Sequence, residues 1–224
     1  MTAGHDSRAA TNALLDGLRQ RRWRPMAWAC FLTQAMRRSI GQAQRRPRAL
    51  GEITALHLVF AVVSHRKRPL WTIASWALAA THLGMLERRR SIGVAGVITL
   101  TRANLPALTT GWAAPVAALA SDLADGRIAR RLGAQTLFGA AADSLADAAF
   151  WTWFALRHEP SRAMRTTALA AWMAPVITVT AISVRRGRMI DAPRPVVARP
   201  AATMQAVLTV RAVLRRRAGY RAGR

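Results

Sequence analysis

Asp122-Leu-Ala-Asp125-Gly126-Arg-Ile-Ala129-Arg130 is followed, after eight residues, by Gly139-Ala-Ala-Ala-Asp143-Ser-Leu-Ala-Asp147. The chain of 224 residues has ten acidic residues, and four of them fall in this stretch, among alanines and leucines. Carboxylates on apolar helices are costly unless paired or bound to a cation. On a helix, Asp122 and Asp125 are three apart and share a face; Asp143 and Asp147, four apart, share a face on the next helix. A turn around 130–133 and an antiparallel return would let the two acidic faces meet. Four converging carboxylates repel one another without cations. Two divalent ions, Mg2+ or Mn2+, relieve that repulsion and keep positions open for phosphate oxygens.

The neighbouring residues fit a diphosphate. Gly126, beside Asp125, exposes backbone to an approaching ligand. Gly139, one turn before Asp143, leaves room for a flat or bulky group. Arg130 brings its charge near any phosphate the metals hold. Each half alone is unremarkable, because Asp-x-x-Asp is usually a solvated helix face or a cap and Asp-Gly is a turn signal. Both halves together, on apolar helices, favour a site.

Working outward, the chain is 52% apolar, yet its formal net charge is +24. Such a charge fits nucleic-acid binding, or a membrane protein whose arginines lie against anionic lipid headgroups. The arginines cluster between apolar stretches, at Arg45-Arg46, His65-Arg-Lys-Arg68, Arg88-Arg-Arg90, Arg185-Arg-Gly-Arg188 and Arg215-Arg-Arg217. No zinc-ligand spacing, aromatic nucleic-acid-binding run or heptad beside a basic region accompanies them. The membrane reading is the stronger, with anionic lipids as partners and no nucleic acid. Cys30 is the only cysteine, which excludes a disulfide framework or a cysteine metal site. Residues 1–49 lack a clean apolar run with a cleavage site, so the N-terminus is expected to stay in the cytoplasm.

Three regions follow. Residues 1–48 form a basic cytoplasmic extension, poorly ordered or a surface helix over 1–22, with an interfacial amphipathic helix over Trp23–Met36. Residues 49–190 form a membrane helical domain. Its apolar stretches are Ala49–Ser64, Leu70–Leu86, Ile92–Leu108, Trp112–Ala124, Leu137–Leu156 and Thr166–Val184. Several are shorter than the ~20 residues of a full span, but tilted helices in a compact bundle accommodate that. No useful strand alternation occurs, so the fold is all-α: an integral membrane bundle of about six transmembrane helices. With both ends inside, Arg88–Arg90, the 127–131 loop and Arg185–Arg188 face the cytoplasm, while His65–Arg68 and the loop Arg157–Arg165 face outward. Residues 191–224 form a basic tail. Three prolines exclude a regular helix over Asp191–Pro200. A basic amphipathic helix then runs over Ala201–Arg217, with Met204, Val207, Val210 and Leu214 at helical spacing. His57 and His82 read as core histidines, the tryptophans as interface anchors, and Glu52 and Glu87 as partners of neighbouring arginines.

The acidic stretch resembles the signature of the CDP-alcohol phosphotransferase (CDP-alcohol phosphatidyltransferase) family. That pattern is Asp, two residues, Asp-Gly, two residues, Ala-Arg, eight residues, Gly, three residues, Asp, three residues, Asp. Every fixed position is met, by Asp122, Asp125, Gly126, Ala129, Arg130, Gly139, Asp143 and Asp147. Upstream, Thr99-Leu-Thr101-Arg102 is similar to a Thr and Arg that family members often carry. The resemblance there implies a phosphate contact for Arg102; a snorkelling arginine near a helix end is the alternative.

The resemblance further implies a six-helix membrane bundle, often dimeric, in the cell membrane with its site open to the cytoplasm. Family members carry the motif on their second and third helices. Here it falls on the fourth and fifth, a departure in architecture. Asp122, Asp125 and Asp143 are implied as metal ligands, and Asp147 as a metal ligand that is also the general base. Gly126, Ala129 and Gly139 would carry the cytidine diphosphate part, with Arg130 near its phosphates. The implied reaction is attack by an acceptor hydroxyl on the phosphorus attached to the lipid alcohol of a CDP-alcohol donor, with CMP leaving. CDP-diacylglycerol is the expected donor and phospholipid biosynthesis the expected setting. Two rivals are a non-catalytic Arg-rich membrane or nucleic-acid binder, and a prenyl-diphosphate enzyme, whose usual Asp-Asp-x-x-Asp run is absent.

Overall fold

The computed structural model describes residues 3–65, 67–86, 89–109, 113–131, 136–190 and 194–222; for 3–7, 125, 129, 130, 194–200 and 218–222 it describes the backbone alone. Among the described residues every element is helical. The order is α1 (Ala3–Gln20), α2 (Pro25–Gln44), α3 (Pro47–Val63), α4 (Pro69–Thr81), a 3-10 turn (Leu83–Leu86), α5 (Gly93–Leu108), α6 (Ala113–Arg131), α7 (Leu137–His158), α8 (Arg162–Arg186) and α9 (Arg194–Ala222).

Local chemistry sets these boundaries. Pro25, Pro47 and Pro69 each stand at the start of a helix, where a missing N–H is harmless and a fixed φ is favourable. The Thr136 hydroxyl caps α7 by accepting from the Gly139 amide at 2.9 Å, and Ser161 caps α8 by accepting from Met164 at 3.3 Å. Gly187 ends α8 at φ 65°, the left-handed conformation that glycine reaches without steric cost. A Cβ there would lie 3.3 Å from the Asp16 Cα, because α1 packs directly on this helix end. Arg19 donates to the Arg186 carbonyl across the same contact, and the Met189 amide donates to Asn12. Of the two expectations for residues 1–22, poor order or a surface helix, the helix forms over Ala3–Gln20, and Leu15 and Leu18 bury against the bundle.

Two apolar clusters hold the bundle. One joins α6, α7, α8 and α9 through Ala114, Phe150, Trp151, Phe154, Trp172 and Leu208. The Trp151 and Trp172 rings stack with their planes 9° apart. The other joins α2 to α5 with the start of α7 through Ile53, Leu83, Leu100 and Phe138. α7 belongs to both. Its acidic turn, Asp143 to Asp147, lies between Phe138 and Phe150, at the junction of the clusters.

Three expectations change. Trp151, Trp153 and Trp172 are core residues and not interface anchors, whereas Trp23, Trp28 and Trp76 are exposed. The tail is helical from Arg194: Pro195 stands in the first turn, where its lost donor costs nothing, and the helix continues through Pro200. The face α9 buries carries Gln205, Leu208 and Ala212, while Val210 and Leu214 are exposed. Finally, one described helix, α8, is long and apolar enough to cross a membrane. α3, α4 and α5 have 17, 13 and 16 residues. At ~1.5 Å per residue they are roughly 20–26 Å long, short of a ~30 Å hydrocarbon core. The six-span expectation is therefore not met by length and composition. Large apolar side chains nevertheless face outward on α3, α4 and α8, among them Val62, Leu70, Ile73 and Ile177.

Glu52 pairs with Arg48 at 3.2 Å and accepts from Ser91 and the Ile92 amide, tying α3 to the start of α5. Glu87 lies outside the described residues. His57 is a satisfied core histidine, with Nδ1 2.8 Å from the Ile53 carbonyl and Nε2 3.0 Å from the Ser75 hydroxyl. His82 lies at the C-terminal end of α4, its Nδ1 2.7 Å from the Leu78 carbonyl.

Candidate metal centre

The expected meeting of acids from α6 and α7 occurs for Asp122, Asp143 and Asp147, within a three-helix arrangement that the sequence did not suggest. α5 packs extensively against both α6 and α7, which touch each other far less. Arg102, in the middle of α5, projects between them. Its side chain is fully buried, which removes the snorkelling alternative. Nη1 lies 3.4 Å from Asp122 Oδ1, Nε lies 3.0 Å from Asp147 Oδ1, and Nη2 pairs with Asp143 Oδ1. Pro106 stands one turn later on the same helix, so the Arg102 carbonyl cannot receive the usual helical hydrogen bond.

Carboxylate oxygens of Asp122, Asp143 and Asp147 lie within 4.8 Å of one another. Asp122 and Asp143 are more than a third exposed and Asp147 about a fifth, whereas Arg102 is not exposed at all. The guanidinium therefore forms the floor of the cluster and the carboxylates face its open side. Three carboxylates against one guanidinium leave a formal charge of −2, which one divalent cation balances. All-oxygen donors at this spacing suit a hard cation such as Mg2+ or Mn2+. On the residues present, a divalent ion fits.

Asp125, Ala129 and Arg130 lie on the backbone of α6, with Asp125 one turn beyond Asp122; their side chains are outside the described residues. Gly126 stands four residues after Asp122, on the same face of α6. Gly139 lies in the first turn of α7, where, among the described residues, a Cβ would meet only the Thr136 hydroxyl, at 3.3 Å. Among the described residues that side of the helix leaves room for a flat ligand.

Sequence reasoning missed the contribution of α9. Gln205, buried, donates from Nε2 to Asp147 Oδ2 at 3.0 Å. Further along, Arg211 donates to both oxygens of Glu159, at 3.1 and 2.9 Å, and Arg215 donates to Oε2 at 2.7 Å. α9 thus runs parallel to α7 and is pinned at the far end of the bundle. The hydrogen bonds from Arg211, with those from Arg215 and the Ser161 amide, hold the Glu159 carboxyl down at about 2, against the upward pull of burial. The only prior signal was the scarcity of acids, which made Glu159 conspicuous, and the i,i+4 spacing of the two arginines.

A family model described as CDP-alcohol phosphatidyltransferase matches residues 85–217, which spans α5 to α9 and every residue of the acidic cluster. No curated protein and no solved structure matches the chain. The matched residues exceed half of the chain and include the motif that converges on Arg102: this chain belongs to the CDP-alcohol phosphatidyltransferase family.

Proposed function

We propose that this protein transfers a phosphatidyl group from CDP-diacylglycerol to an acceptor hydroxyl, releasing CMP, as a step of phospholipid biosynthesis. The observation that carries the reading is the convergence of Asp122, Asp143 and Asp147 around one buried arginine, in a chain of this family. A bound divalent cation would supply charge stabilisation for the diphosphate and the departing CMP.

The chain's own residues do the rest. Asp122, Asp125, Asp143 and Asp147 are the proposed metal ligands. Gly126, Ala129 and Gly139 form the surface on which the cytidine part lies, with Arg130 toward its phosphates. Asp147 takes the proton of the acceptor hydroxyl as that oxygen bonds to the phosphorus bearing the lipid alcohol. The bond from this phosphorus to the bridging oxygen breaks, and CMP leaves with the electron pair. Arg102, beneath the three acids, holds them together and offsets their charge before donor and metal arrive.

In this reading the chain is a multi-pass protein of the cell membrane and a homodimer. The clusters Arg45-Arg46 and Arg185–Arg188 lie against anionic headgroups on the cytoplasmic side, where the acids open. The outward-facing Val62, Leu70, Ile73 and Ile177 support a lipid environment. The test is release of CMP by detergent-purified protein given CDP-diacylglycerol, Mg2+ and a panel of acceptors: glycerol 3-phosphate, serine, inositol phosphate and phosphatidylglycerol. One acceptor should support metal-dependent release, and Asp147→Asn should lower kcat by roughly 10²–10⁴-fold. If no acceptor gives release, the transferase reading fails. A fully active Asp147→Asn protein removes the base assignment.

A further inference from the structure

We propose that a lateral apolar cleft between α4, α5 and α7 holds one hydrocarbon chain of a lipid substrate, and that α4 decides which chains fit. The inference rests on the transferase reading for the identity of the ligand as substrate, and on the cleft for the chain.

The cleft has a volume of about 210 Å³. Apolar cavities of ~150 Å³ already stay dry and take up small hydrocarbons. Its walls include Trp71, Ala74 and Leu78 from α4, Leu100 from α5, and Ala142 and Ala146 from α7. The wall is held in place by the Trp71 indole, which donates to the Ala103 carbonyl at 2.9 Å. Ala142 and Ala146 immediately precede Asp143 and Asp147, and Leu100 stands two residues before Arg102. Small side chains thus hollow the helix that carries the acids, on a neighbouring face of the same turns. Leu78 and Leu145, which both line the cleft, are exposed, so it opens sideways between α4 and α7.

This geometry selects the occupant. A nucleotide or sugar would lose its hydration without gaining partners, because Ser75, one of the few polar lining residues, is already engaged by His57 and Asn104. A hydrocarbon chain needs no partner. A chain arriving from a bilayer or micelle gains little free energy from apolarity alone, since its former surroundings were equally apolar. Such a cleft discriminates by shape, and its effect falls on binding and not on the chemical step. α4 precedes the family-matched residues 85–217, so this wall is contributed by the part of the chain outside the matched segment.

The test uses full-length protein in detergent micelles and lipids with dibrominated acyl chains, which quench tryptophan on contact. The signal of Trp71 is the difference between wild type and Trp71→Phe. Three arms separate the sources of a chain: brominated CDP-diacylglycerol as donor, brominated phosphatidylglycerol as acceptor, and brominated phosphatidylcholine as bulk lipid. The donor or the acceptor should quench Trp71 at least about twofold more than phosphatidylcholine. Ala74→Phe and Leu78→Phe should remove that excess, and Ile73→Phe, at an exposed position of α4 that does not line the cleft, should keep it. With CMP release as a second readout, Ala74→Phe should raise KM for a long-chain donor or acceptor about fivefold at unchanged kcat. Equal quenching by phosphatidylcholine means bulk lipid only and overturns the proposal. Absence of quenching in every arm, as a second copy seated on the cleft would produce, overturns it also. Quenching by donor without CMP release would keep the cleft and sink the transferase reading. CMP release without selective quenching would do the reverse.

Discussion

Gln205 holds Asp147 from behind: its Nε2 donates to Oδ2 at 3.0 Å, while Oδ1 of the same carboxylate faces Arg102 at 3.0 Å. The two residues are 58 positions apart and meet because α9 runs alongside α7. A hydrogen bond on one oxygen and an ion pair on the other position the carboxylate. Asp147 is thereby oriented by two helices besides its own.

Gln205→Met keeps the packing volume and removes the donor. Kcat for CMP release should fall about tenfold with little change in KM, because Asp147 then samples unproductive orientations. Loss of one buried hydrogen bond should cost about 1 kcal/mol of stability. Steady-state kinetics with thermal unfolding reads both. Unchanged kcat would make Gln205 a packing residue only.

Arg102 is the fixed cation of the acid cluster, so wild-type protein should stay folded in chelator while losing CMP release. Arg102→Met should behave differently. Without the guanidinium, three carboxylates repel across about 5 Å or less, and breaking a buried ionic network costs about 3–5 kcal/mol. Its melting temperature should drop sharply in chelator and recover substantially in millimolar Mg2+. Equal melting with and without metal would show that no divalent ion sits among these acids.

The contact of Glu159 with Arg211 and Arg215 should govern acid stability. Its carboxyl is depressed from an ordinary 4.5 to about 2, so the contact stabilises the fold fully above pH 4.5. That contribution declines as pH falls from 4.5 toward 2 and is absent below both values. Glu159→Gln should therefore lower the melting temperature at pH 7 and converge with wild type near pH 2. A difference that persists undiminished at pH 2 would assign the effect to packing and not to charge.

Anchoring by Glu159 should also reach the site through α9. Arg211→Ala with Arg215→Ala should loosen the helix that carries Gln205, seen as faster amide exchange over 201–217 and a kcat loss resembling that of Gln205→Met. Protection unchanged over those residues would uncouple the two ends of α9.

Much of the fold was legible because its signals are local. Pro25, Pro47 and Pro69 mark helix starts, Thr136 and Ser161 supply caps, and the apolar stretches appear as helices close to their expected limits. Pro195 misled because a proline in the first turn of a helix removes nothing the helix uses. The tryptophans misled because composition does not distinguish a ring facing lipid from one stacked in a core, as Trp151 is on Trp172.

The sequence by itself determined that two acid pairs share helix faces, since a spacing of three or four residues is one turn. It also determined that those acids stand at fixed spacing to glycine and arginine, since spacing is a covalent property of the chain. Only the tertiary structure decided that α5 stands between the two acidic helices, that Arg102 is their common counter-ion, and that Gln205 holds Asp147. Those contacts join residues 20 to 58 positions apart. Helical periodicity extends over a few turns and says which way a side chain points, but which helix it meets is settled by packing whole apolar faces together.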